Sequence, residues 1–152
     1  MADWITPIYN RTQADVDYAI AELNKLKEQG YADVVYYRKG CLNANDFNRI
    51  EGDIEYLSDT LSTLYYFSNT VSKTWKYSGL PNVADVTRIL DNIKNIISAL
   101  GQSKSAPKLP TTMRTFEQIN DIEKNLYFLK EMLDDMVSYF RECGTFTCGE
   151  EW

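Results

Sequence analysis

Phe47-Asn48-Arg49-Ile50-Glu51-Gly52-Asp53-Ile54-Glu55-Tyr56-Leu57-Ser58-Asp59-Thr60-Leu61-Ser62-Thr63-Leu64 sets Phe47, Ile50, Ile54, Leu57, Leu61 and Leu64 alternately three and four positions apart. That spacing places all of them on one stripe of an α-helix, and an apolar stripe has to be covered. The rhythm returns at Val86, Ile89, Ile93, Ile96 and Leu100, and again at Ile119, Ile122, Leu126, Leu129, Leu133, Met136 and Phe140. Leu90 and Ile97 widen the second of these faces, and Phe128, Met132 and Val137 the third, so each helix needs more than one neighbour. The expected fold class is all-α: an antiparallel helical bundle of three long helices plus one N-terminal helix, with short irregular or extended segments at the loops and C-terminus.

Each helix opens on a capping signal. Thr12 with Asp15, Asn43 with Asp46, Asn82 with Asp85 and Thr115 with Gln118 all have the spacing of a reciprocal capping box, and Leu42 with Phe47 adds a hydrophobic staple. Gly30, Gly101 and Gly144 supply the stops. Helices are thus expected over about 13–29, 44–67, 83–100 and 116–142 of a single domain, 1–152. In the first, Val16, Ala19, Ile20, Leu23 and Leu26 mark one face. Residues 31–41, with Val34-Val35-Tyr36-Tyr37, read equally as a short strand or a buried helical turn; 68–80 reads as irregular or partly extended, and 101–114 as a loop.

The long helices also resemble one another in detail. Ile50 to Leu57 lies over Ile122 to Leu129, and Asn48-Arg49-Ile50 over Thr87-Arg88-Ile89. An ancient duplication and independent convergence on one bundle pattern both account for this.

Composition narrows the chemistry. A net charge of −6 with no Lys/Arg cluster argues against nucleic-acid binding, which needs local positive charge to release counterions. No apolar run is long enough to insert in a membrane, and the start shows no basic segment followed by an apolar one, so synthesis in a cytosol is expected. The chain has no histidine, which removes the usual general base, the commonest metal ligand and every Ser-His-Asp or Cys-His pair. Its glycines form no phosphate loop. Glu51/Glu55 and Glu131/Asp135 are carboxylate pairs at i, i+4, but read as solvated helix faces because the Glu-x-x-His of a di-iron bundle cannot be written. Cys41, Cys143 and Cys148 are an odd set of thiols, one short of a closed zinc site. Reduced structural thiols, a strained disulfide and a metal knuckle are the readings, in that order. No enzyme activity, cofactor or metal is expected.

Aromatic side chains are the remaining candidates. Tyr65, Tyr66, Phe67, Trp75 and Tyr77 crowd the end of the second long helix and its following loop, and Trp152 closes the chain. These six residues are candidate partner contacts, since Tyr and Trp favour interfaces; the competing reading folds the loop back so that the rings cap the bundle.

Trp4-Ile5-Thr6-Pro7, Asn10 to Val16, Leu42 to Glu51, Lys73-Thr74-Trp75, Leu80-Pro81 and Cys148-Gly149-Glu150 together resemble small modules found in tailed phages and prophages of Firmicutes, which share an Asn-Arg-Ile-Glu-x-x-Ile-x-Tyr-Leu helix, here Asn48 to Leu57. The resemblance implies a structural protein of the virion, in the tail or its adsorption apparatus. It would be made in the bacterial host cytoplasm and would act through contacts with other virion proteins and as a homo-oligomer. A soluble helical adaptor or regulator that binds a host or phage protein is the alternative expectation.

Overall fold

A computed structural model describes residues 3–29, 39–64, 66, 69–76, 79 and 81–143. Among them the chain is all-helical: α1 (Gln13–Gln29), α2 (Ala44–Thr63), α3 (Val83–Leu100) and α4 (Phe116–Cys143). The expected starts are all present. Asn43 Oδ1 accepts from the amides of Asn45 (2.8 Å) and Asp46 (3.3 Å), while Asp46 accepts from the Asn43 amide (3.1 Å). Asn82 and Asp85 repeat the exchange, as do Thr12 with Asp15 and Thr115 with Gln118. Asn43→Ala removes one such cap and is expected to cost about 1 kcal/mol, read as a lower urea midpoint at unchanged m-value.

One expected boundary differs. α2 ends at Thr63, not at Phe67, because Thr60, Ser62 and Thr63 turn their hydroxyls back onto the carbonyls of Tyr56, Ser58 and Thr60 and compete with the backbone ladder. Gly101 ends α3 as expected, at φ 93° with its amide on Ile97 O. The strand-or-turn reading of 31–41 lies largely outside the described residues, as do the stops at Gly30 and Gly144.

α2, α3 and α4 pack on one another in all three pairings. Ile50, Ile54, Leu57 and Leu61 of α2, Ile89, Ile93 and Ile96 of α3, and Ile122, Leu126 and Leu133 of α4 are fully buried, and every one belongs to a stripe read from the sequence. Their direction, however, is not antiparallel. Arg49 of α2 meets Glu123 of α4, and further along both helices Tyr56 of α2 meets Lys130 of α4, so the two run the same way.

α3 is parallel to them as well. The segment 69–76 meets α3 at Asn95, Asn92 and Asp85 as it passes from Asn69 through Val71 to Lys73, and meets α2 at Glu55 and then Asn48 as it passes from Ser72 to Trp75. It therefore descends both helices together. The segment 102–114 descends α4 in the same manner, from Asn125 at Gln102 and Pro107 to Gln118 at Thr112 and Arg114. The expectation of antiparallel packing fails because these connections are not corner loops: they are long enough to carry the chain back to the end where it started, which is what parallel neighbours require.

α1 stands outside this mutual packing. Among the described side chains of its apolar face only Ala19 is fully buried, while Ile20 and Leu23 are 50% and 44% exposed. Its first turn is held where Gly40 passes so closely that an added Cβ would stand 1.9 Å from the Asp15 carbonyl oxygen.

Candidate functional site

Most polar side chains that the bundle buries lie in the grooves between its helices, and each groove holds a strap of non-helical chain. Between α2 and α3 lies the strap 69–76. Asn92 accepts from the Val71 amide (3.1 Å) and donates to the Val71 carbonyl (2.9 Å); Asn48 does the same for Trp75, at 2.7 and 3.0 Å. A primary amide matches the donor and acceptor of one peptide unit, so each asparagine acts as a short piece of neighbouring strand. Beneath the strap Glu51 accepts from Trp75 Nε1 (3.1 Å) and from both Nη atoms of Arg88, one at 2.8 Å. The hydrogen bonds and charge of Glu51 raise the pKa of Arg88 despite its partial burial.

Between α4 and α2 lies the strap 3–11, built to the same plan. Asn120 takes the place of Asn48, accepting from the Arg11 amide (3.1 Å) and donating to its carbonyl (2.8 Å). Glu123 takes the place of Glu51: it accepts from the Ile8 amide, from Arg11 Nη1 (2.9 Å) and from Arg49 Nε and Nη2 (3.1 and 2.8 Å). Asp53 takes the place of Asn92, with Oδ1 on the Ile5 amide (3.0 Å). Asp46 completes the cluster by accepting from Arg11 and Arg49 (3.2 and 2.8 Å).

The third groove, between α3 and α4, keeps less of the plan. Asn125 donates to the Pro107 carbonyl (3.0 Å), but Leu90 and Asp121 stand where the other grooves have a glutamate and an arginine. The helix likeness visible in the sequence, Asn48-Arg49-Ile50 with Thr87-Arg88-Ile89 and Ile50-Glu51 with Ile122-Glu123, thus coincides with a repeat of strap contacts. Convergence on an apolar stripe explains the shared isoleucines, but it gives no reason for shared partners in the grooves.

Burial gives the groove between α4 and α2 its electrostatic character. Desolvation alone would lower the pKa of Arg49, but hydrogen bonds and charge from Glu123, then Asp46, outweigh it and push the value up. Burial, reinforced by Glu123, lifts the Asp53 carboxyl to about 7, while the Ile5 amide and Arg49 pull the other way.

The candidate partner contacts divide. Trp75 is a core residue, 4% exposed, with its ring 4.9 Å from Phe47 and its indole N–H on Glu51. This corrects its assignment to a partner surface: the strap turns the indole inward because a buried acceptor is waiting for it. Tyr66 is exposed at 39%. Tyr65, Phe67, Tyr77 and Trp152 lie outside the described residues.

Two surface features were not singled out from the sequence. Tyr18, Ile20 and Leu23 leave α1 with exposed apolar side chains, although the period of that helix was legible. A cleft of about 500 Å³ opens between the start of α1, Leu42 and the start of α4, with Val16, Met113, Phe116 and Ile119 in its wall and Arg114 and Glu117 at it. Cys41 is half-buried. Compared with known proteins, the chain matches no family model, no curated protein and no solved structure.

Proposed function

We propose that the protein is a non-enzymatic structural component of a tailed-phage particle, in the tail or its adsorption apparatus, acting through contacts with other virion proteins and with further copies of itself. The observation that carries the protein-contact reading is α1. Its Ile20 and Leu23 are half exposed on the face that the apolar period marks for burial, and helices that leave such a face outside their own core are the usual material of protein interfaces. The likeness of Asn48 to Leu57 and of the Trp4 and Trp75 segments to phage modules supports placing those contacts in a virion.

The cleft beside α1 favours a second reading, a helical adaptor that takes a side chain of one host or phage protein there. Mass spectrometry of purified particles separates the two. The chain is expected among the virion proteins in a fixed ratio to the other tail components. Its absence from particles, with the chain abundant in infected cells, would overturn the structural assignment in favour of the adaptor.

A further inference from the structure

Asp53 is an ionisable residue at a position where the other two grooves carry asparagine. Asn92 uses both ends of its amide on Val71, and Asn125 donates to Pro107, whose nitrogen has no hydrogen to offer. Asp53 holds the Ile5 amide through Oδ1, but its Oδ2 has no partner although the side chain is fully buried. An asparagine would do the pinning, as it does elsewhere in the same molecule, so the carboxyl adds something that pinning does not need.

The surroundings say what it adds. Facing Asp53 are Glu123 of α4 and Arg49 of α2, with Arg11 of the strap and Asp46 of α2 in the same bonded cluster, and Lys130 of α4 beyond, over the Trp4 ring at 5.7 Å and paired with Asp134. Arg11 and Arg49 balance Asp46 and Glu123, so the group is neutral when Asp53 carries a proton and has an uncompensated buried charge when it does not. An unpaired neutral hydroxyl costs far less in such a site than an unpaired carboxylate. The cover is thin: Ile5 is half exposed above the carboxyl, and Trp4 is a partly buried ring 5.6 Å from Tyr56.

We propose that Asp53 is a pH-operated latch for the N-terminal strap. Protonated, it lies dry beneath Ile5; ionised, it draws water, and residues 4–8 lift away while Arg11 stays clamped to Asn120 as the pivot. The direction follows from proton linkage. The carboxyl is raised from its ordinary 3.8 to about 7 with the strap down, so the closed form binds the proton more tightly and loses ground as pH rises from about 4 to about 7. If the lifted strap returns the group to its ordinary value, the opening constant grows about thirtyfold between pH 5.5 and 8.5.

Amide hydrogen exchange on the full chain, followed by NMR and corrected for intrinsic rates, tests the latch. The protection factors of the Ile5 and Ile8 amides are expected to fall about thirtyfold over that range, and at pH 8.5 to lie well below that of the core amide of Ile54. In Asp53→Asn they are expected to be higher and independent of pH, because the new amide donates to the Ile5 carbonyl as Asn92 does to Val71. Ile5→Pro deletes the latched N–H while leaving the bundle intact, and should bring Ile8 at pH 5.5 to the protection that the parent shows at pH 8.5. Strap amides that exchange only as fast as Ile54, protection that ignores pH in the parent chain, an undiminished pH dependence in Asp53→Asn, or an unchanged Ile8 in Ile5→Pro would each refute the proposal.

Discussion

Glu123→Leu is expected to destabilise the protein by about 3 to 5 kcal/mol, the cost of leaving buried charges without their partner. Glu123, on α4, is fully buried and gathers donors from two other parts of the chain: Ile8 and Arg11 on the strap and Arg49 on α2. Its removal leaves two guanidinium groups sharing Asp46 and strands the Ile8 amide. Urea denaturation at pH 7 measures the loss directly. The double variant Arg49→Met/Glu123→Leu should lose less than Glu123→Leu alone, since it removes one of the unpaired charges together with its partner. Equal stability of Glu123→Leu and the parent would show that the cluster is hydrated in solution and not buried as described.

Trp75→Ala is expected to cost about 3 to 5 kcal/mol and to lower the melting temperature by roughly 10 °C. The loss has two parts. An indole packed on Phe47 leaves a cavity between the strap and α2, and Glu51 loses one of its donors while Arg88 keeps its hold on it. Differential scanning calorimetry on the purified chain is sufficient. Were Trp75→Ala to melt like the parent and yet fail to assemble with its partners, the ring would be a surface contact after all, and the strap 69–76 would have to leave its groove in the bound state. Tyr66→Ala serves as the comparison: its exposed ring should cost little stability whatever it does to assembly.

Much of the fold was legible because it is local. A capping box closes within four residues, as from Asn43 to Asp46, and a stripe is a matter of spacing along one helix, so both survive any later arrangement of the chain. The grooves were less legible. Asn48, Asn92 and Asn120 look like ordinary polar residues beside an apolar one, and their partners lie on straps that carry no period of their own. What hinted at them was the likeness between helices, which repeats Glu51 at Glu123 and Arg49 at Arg88. It extends past the apolar positions, and that excess over a bundle pattern was the signal.

Sequence alone determined four helices, where they begin, and which residues of α2, α3 and α4 enter the core. Tertiary structure alone decided that those helices run parallel, that Trp75 points inward, and that Arg49 finds Glu123 across 74 residues of chain. The physical reason is that an apolar stripe is covered equally well by a neighbour running either way. Direction is settled by the connections, and these gain their hydrogen bonds only when distant helices have already formed the groove that receives them.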